Sequence, residues 1–391
     1  MLDGNEAAAY GARLSRVEVI GVFPITPQTE LANRLARFVA DGELKAKYVT
    51  VESEHAAMSI CAGASAAGAR VFTASCSQGI AYMEEVLWMV PGHRLPVVMA
   101  ICNRSIAIPG GIRATHNDSL LQRDNGWIQI YCENSQEVLD MCIQSYRIAE
   151  NEGVYLPTMF CLDGFSVTHT AIPVQIPDQS EVDRFLPPYK HRYVHLDPEN
   201  FDQEIVYGVE EEGETELRYQ VEEAMTNAKK VIKAVDAEFC DRFGRRYDGL
   251  VEKYRCEDAE AVLVTMGSIT GTAREVVDKL REDGERVGLV KLRAFRPFPT
   301  EELREVAREV EAIGFVDRNF SHGSAGGGIG YIETARALYH LKRQPQLLGF
   351  VVGIGGRDVT PADIKYMYRR VLEASKTGET DGEAEWIQLR A

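Results

Sequence analysis

The chain lacks what several familiar chemistries require. Its eight cysteines, Cys61, Cys76, Cys102, Cys132, Cys142, Cys161, Cys240 and Cys256, never pair as CxxC. That excludes the ligand runs of common zinc and iron–sulfur sites. Most of these cysteines fall within apolar strands or helices, where a free thiol behaves as a small core residue. Basic charge is also scarce: 43 Lys and Arg against 59 Asp and Glu leave a net charge of -16. Nucleic acid and anionic membrane surfaces demand a basic face, so neither is an expected partner. No segment reaches the roughly 18 uninterrupted apolar residues of a membrane span. The opening "MLDGNEAAAY" has neither the basic nor the apolar region of a secretory signal, which predicts a cytoplasmic location. The glycine-rich "HGSAGGGIG" (322–330) and "GIGGRD" (353–358) fit neither GxGxxG after a strand nor a P-loop with its lysine. Turns and close packing are their expected use.

What is present is strand–helix alternation. "VEVIGVF" (17–23), "YVTVE" (48–52), "RVFTAS" (70–75), "LPVVMAIC" (95–102) and "YLPTMFC" (155–161) read as strands, being short and rich in β-branched residues. Helix-like stretches such as "TELANRLARFVADG" separate them, which predicts a mostly parallel sheet covered on both faces. With 391 residues, two or three domains are expected. From about Thr168 a proline-rich, polar stretch reads as an extended connector. The acidic run 210–216 follows it as a solvated loop or helix start, and then comes a long amphipathic helix over "LRYQVEEAMTNAKKVIKAVDAEFCDRFGRRY". A second alternating unit begins near Ala259, with "AEAVLVTMGS", "RVGLVKLRAF" and "EAIGFVDRN" as strands.

Three stretches carry candidate chemistry. In "FPITPQTE" (23–30), Pro24 and Pro27 stiffen a turn after the first strand, and loops at the carboxyl ends of parallel strands are where open α/β sheets bind ligands. Thr26 there offers a hydroxyl on a rigid support; the alternative is an ordinary turn with Thr29 near the helix cap. Glu54 either answers the dipole of a following helix or exchanges a proton with a ring nitrogen in a dry pocket, where burial would raise its pKa. In "CNRSIAIPGGIRATHNDS" (102–119), Arg104 follows a strand and can grip a carboxylate bidentately, or form a surface ion pair. Gly110 and Gly111 give the neutral loop behind it room to bend. His116 and Asp118 either bind polar groups or organise the loop.

"PITPQTEL", "VESEHAAMS", "GASAAGARVFTASCSQG", "NRSIAIPGGIRATHNDS", "CLDGFSVTH", "FLPPYK" and "FRPFP" occur in this order. Together they resemble the α subunit of the 2-oxoacid:ferredoxin oxidoreductases from about Gly4 to beyond "GGRDVT". The resemblance implies a thiamine-diphosphate-binding α/β fold in three parts. Residues 1–170 form a pyrimidine-binding domain, 171–256 a connector and long helix, and 257–391 a transketolase-C-terminal-like α/β domain. It implies that Glu54 hydrogen-bonds the pyrimidine N1′, so that the 4′ nitrogen takes the thiazolium proton. Ile25, Thr26, Pro27, Ser77 and Gln78 would line the cofactor. Thr26 and Arg104 would meet the 2-oxoacid, in a pocket completed by Gly110, Gly111, His116 and Asp118. No metal ligand is expected here, because the chain lacks the GDG signature of the magnesium–diphosphate site. The implied complex therefore places Mg2+ on a β subunit and [4Fe-4S] clusters on partners, with a γ subunit and a ferredoxin-like δ subunit. Coenzyme A would be the acyl acceptor, and ferredoxin or, through a flavin subunit, NAD the electron acceptor. The neutral loop disfavours a dicarboxylate, leaving pyruvate-like or aryl 2-oxoacids such as phenylglyoxylate. Two other classes fit the same residues: a non-catalytic scaffold, and a non-redox thiamine enzyme of transketolase type.

Overall fold

The structure is a computed structural model and describes residues 1–107, 109–191, 196, 213–380 and 382–390. Part of the expected connector, the acidic residues 210–212 and Ile108 of the neutral loop lie outside the described residues. The chain is α/β with two sheets. The first holds β1 (Val19–Val22), β2 (Lys47–Thr50), β3 (Val71–Ser75), β4 (Val98–Asn103), β5 (Ile128–Tyr131) and β6 (Thr158–Asp163). The second holds β7 (Val251–Tyr254), β8 (Ala261–Thr265) and β9 (Val287–Leu292), followed by β11 (Ala312–Asp317), β12 (Gln346–Val351) and β13 (Ala384–Trp386). Between them in the chain, β10 (Ala294–Arg296) returns to the first sheet.

The first sheet runs β10-β5-β6-β4-β3-β1-β2, parallel except for β10 against β5. Every residue of β3, β4 and β6 is buried, which is why these strands read as continuous apolar runs rather than alternations. The second sheet runs β13-β12-β11-β8-β9-β7, with only β7 antiparallel. Helices follow their caps and stripes. Helix Thr29–Ala40 buries Leu31, Leu35 and Phe38 on one face. Helix Pro361–Thr377 starts at a Thr360–Asp363 capping box and stops at Gly378, whose φ of 71° suits the left-handed cap. Its apolar side packs with Ile269–Glu282 against the second sheet.

Three local expectations change. "RVGLVKLRAF" is two strands in two sheets, because Arg293 between them is buried and bonded to Glu137 (2.8 Å) and the Gly249 carbonyl, so the chain switches sheets there. "WIQIY" was not expected as a strand, yet it supplies β5, with Gln129 buried and bonded to the Ser119 carbonyl. The connector contains a helix, Gln179–Phe185, whose Phe185 packs edge-on against Phe239 of the long helix Glu214–Phe243. Seven cysteines are buried and all eight are free.

Candidate active site

In the first sheet the chain goes from β1 to β2 on one side and then to β3 on the other, so the order reverses between β1 and β3. Outside the carboxyl ends of strands at such a reversal, two loops part and leave a crevice. The loops after β1, β2, β3 and β4 carry the residues singled out above.

The β1 loop is stitched down rather than loose. Gln28 donates through Nε2 to the Ala74 carbonyl of β3 (3.1 Å) and accepts from the Ile25 amide (3.3 Å). Asn5 donates to the Pro27 carbonyl (2.9 Å). Pro27 is buried, Ile25 half-buried, and Thr26 stands exposed at the rim. The Thr26 carbonyl accepts from Arg104 Nη1 (2.8 Å) and from the Cys76 thiol (3.2 Å), joining the loops after β1, β3 and β4. Arg104 Nε is buried with no partner among the described residues, so the guanidinium keeps unspent donors.

Glu54 is the first residue of helix Glu54–Ala66, capped by Ser53, whose hydroxyl accepts from the Ala56 amide (3.2 Å). The residue is only 7% exposed, and among the described residues its carboxylate has no hydrogen-bond partner. It lies against Gly79: a Cβ added there would sit 2.6 Å from Glu54 Oε1 and 2.5 Å from Ser75 Oγ. A side chain there would force the Glu54 carboxylate or the Ser75 hydroxyl to move. Cys76 lies between Glu54 and the rim; burial first, then the carboxylates of Asp118 and Glu54, push its thiol far up, so it stays protonated.

Neither oxygen is sealed from the crevice, so a ligand there can supply the hydrogen bond that no described residue makes. A flat heterocycle with a basic nitrogen matches such a carboxylate facing a side-chain-free wall. These residues therefore fit the pyrimidine end of thiamine diphosphate. Gln78 is exposed beside them. Ser77 takes a left-handed φ of 53°, donates its amide to Asp118 (2.9 Å) and its hydroxyl to the Ser105 carbonyl (2.5 Å).

Asp118 is spent on the framework and His116 is tied to it through one ring nitrogen, Nε2, while His116 Nδ1 is buried with no partner among the described residues. Asp118 is fully buried and accepts from Ser77 N, Arg104 N, Asn103 Nδ2 and Ser119 N. Burial raises its pKa, against those hydrogen bonds. His116 Nε2 meets Asp163 Oδ1 at 2.6 Å, both residues 1% exposed. These contacts hold the loop in place. Gly110 and Gly111 lie exposed on the loop beyond. Asn103, Cys76, Gly79 and Asp163 were not singled out from the sequence; the quoted motifs contain all four, but their contacts span up to 155 residues.

Comparison with known proteins shows the family. A family model described as pyruvate flavodoxin/ferredoxin oxidoreductase, thiamine diphosphate-binding, matches residues 10–237, and pyruvate:ferredoxin oxidoreductase core domain II matches 259–364. The chain belongs to the α subunits of the 2-oxoacid:ferredoxin oxidoreductases. Pyruvate synthase subunit PorA of Methanothermobacter thermautotrophicus is 47% identical over 100% of this chain and 98% of its own length. Ketoisovalerate oxidoreductase subunit VorA of Pyrococcus horikoshii is 45% identical over 100% and 98%. Among solved structures, 2-oxoglutarate:ferredoxin oxidoreductase from Magnetococcus marinus aligns with a TM-score of 0.71 at 18% identity, over 96% of this chain and 65% of that one. A split-gene transketolase aligns at 0.55 and 14%, over 95% and 98%. At these identities both structures speak to the fold, which is the thiamine-diphosphate-binding α/β arrangement.

Proposed function

We propose that this α subunit seats the pyrimidine end of thiamine diphosphate between Glu54 and Gly79 and presents a 2-oxomonocarboxylate, pyruvate first, to Arg104. The single observation that carries the reading is the nearly buried Glu54 at the β1/β3 reversal, whose carboxylate bonds to no described residue, reaches the crevice and lies against Gly79. When bound, the cofactor supplies the electron sink that lets a 2-oxoacid lose carbon dioxide. Glu54 holds a proton at the ring nitrogen it faces. Arg104, anchored by one nitrogen on the Thr26 carbonyl, keeps its other donors for the substrate carboxylate. Ile25, Pro27, Ser77 and Gln78 line the same crevice.

Partners complete the reaction in this reading. A β subunit holds magnesium and the diphosphate, a γ subunit completes the assembly, and a ferredoxin-like δ subunit carries iron–sulfur clusters toward ferredoxin. Coenzyme A takes the acyl group. PorA and VorA relatives differ by only two percentage points in identity to this chain, 47% against 45%, so overall likeness does not choose between their substrates. The neutral residues around Gly110 and Gly111 support a substrate with one carboxylate. Comparing kcat/KM for pyruvate, 2-oxoisovalerate and phenylglyoxylate with coenzyme A tests this; negligible rates with all three overturn it. For the site itself, Glu54→Gln in the assembled complex is expected to lower turnover at least about 100-fold, the scale of general acid–base effects. Intact turnover would favour a scaffold role instead.

A further inference from the structure

The strand order of the second sheet also reverses, between β8 and β11, so a crevice opens outside their carboxyl ends. It is filled from within. Asp163, at the end of β6 in the first sheet, accepts there from Arg318 Nη1 (2.9 Å), Ser268 N (3.0 Å) and Ser268 Oγ (2.5 Å). The carboxyl edges of the two sheets thus meet at the base of the segment that leads back to Arg104.

That segment is gripped from the second domain at successive residues. The His116 amide donates to the Arg318 carbonyl (2.9 Å). Gly356 N donates to the Ala114 carbonyl (2.9 Å), and Gly355 N to the Thr115 hydroxyl (2.9 Å). The Thr115 hydroxyl donates to the Ala114 carbonyl (2.9 Å), so it accepts from the Ser105 hydroxyl, also at 2.9 Å. Ser105 is next to Arg104, and its amide closes the loop on the Arg113 carbonyl (3.2 Å). The turn that makes these contacts has Gly353, Gly355 and Gly356 at φ of 69°, 68° and 73°, a run of left-handed residues that glycine supplies without strain. A Cβ on Gly356 would collide with the Arg113 side chain, so the two backbones meet as closely as chemistry allows.

We propose that Thr115 is a positioning residue for substrate, through which the "GIGGRD" turn of the second domain sets where Arg104 stands. The claim rests on Arg104 being the carboxylate contact. From one side Asp118 holds the Arg104 amide; from the other the Gly355–Thr115–Ser105 relay holds its neighbour. A turn that merely filled space would need no hydroxyl at position 115. Losing the relay leaves the chain folded but lets the guanidinium drift from the Thr26 rim, which weakens substrate binding and blurs discrimination by size.

The test uses the assembled complex with saturating coenzyme A. Thr115→Val is expected to raise KM for pyruvate about tenfold, the scale of one buried hydrogen bond, with kcat changed less than about threefold. It should also shift the kcat/KM ratio of pyruvate to 2-oxoisovalerate. Thr115→Ser should restore both values, because it returns the hydroxyl, and Ser105→Ala should repeat the Thr115→Val pattern from the other end. If Thr115→Val and Ser105→Ala keep wild-type KM and ratio while Arg104→Lys raises KM, the positioning role is wrong and the site reading stands. If Arg104→Lys also leaves KM unchanged, both fall.

Discussion

At the β1/β3 crevice, Glu54 keeps a buried carboxylate open to a ligand; at the β8/β11 crevice, Arg318 and Ser268 close on Asp163 from the same chain. The two places share a geometry and differ in what completes them. An open crevice leaves an acid facing solvent until a ligand arrives. A filled one converts the same geometry into a joint between domains. Both carboxylates are buried, and only their partners tell the roles apart: Asp163 has His116 and Arg318, while Glu54 has none among the described residues. Fold likeness to a transketolase extends to both sheets, so the fold alone does not distinguish redox from non-redox chemistry; membership of the oxidoreductase family does.

This contrast can be broken from either side. The largest effect is expected at the filled crevice. Asp163→Asn leaves Arg318 and His116 facing each other without their anion, costing about 3–5 kcal/mol of stability in urea denaturation. Burial by itself would raise the Asp163 pKa, but the His116 and Arg318 charges hold it well below the usual carboxylate range. A lowered folded pKa gives stability that is complete above about pH 4 and lost as pH falls further. The contribution of Asp163 to the gap between wild type and Asp163→Asn should therefore narrow as pH falls below about 4.

Next comes the open crevice, with the opposite signature. Glu54→Gln should cost turnover, as above, and leave urea stability nearly unchanged, since the carboxylate makes no hydrogen bond to a described residue that the change would remove. A loss of stability comparable to that of Asp163→Asn would erase the distinction between the crevices. Gly79→Ala is intermediate. Its methyl would crowd Glu54 and Ser75, so an overpacking cost of about 1–3 kcal/mol should appear together with weaker binding of thiamine diphosphate by calorimetry. Normal binding would mean that the ring does not pass over Gly79.

The smallest effect concerns Asp317, at the end of β11 beside the filled crevice. Burial raises its pKa to about 6 despite bonds from Tyr331 N, Asn319 Nδ2 and Gly330 N. A raised folded pKa contributes stability below the ordinary carboxylate range and loses it as pH rises through about 6. Relative to Asp317→Asn, the wild type should lose ground between pH 4.5 and 7, by about 1–3 kcal/mol. A constant difference across that interval would show that the charge is satisfied.

The rim of the open crevice was legible because its signals are local. Prolines flanking Thr26, an acid at position 54 suited to a helix start and an arginine just after β4 report backbone turns within a few residues of themselves. The filled crevice was not legible. The role of His116 stayed open between binding and loop organisation because nothing near it in the chain reveals Asp163, 47 residues on, or Arg318 beyond that. The strand change at Arg293 was hidden for the same reason: an unbroken apolar run does not say which sheet its second half joins. The "GIGGRD" turn read as packing because its hydrogen-bond acceptors lie about 240 residues away.

The linear chain by itself determined the α/β alternation, the absence of metal-ligand runs, and the placement of Thr26, Glu54 and Arg104 at strand ends, since periodicity, caps and turns act over one or two helical turns. Only the tertiary structure decided which buried carboxylate stays open and which is matched. That choice depends on which surfaces meet, and a charge removed from water takes its free energy from whatever groups the fold brings within about 3 Å of it.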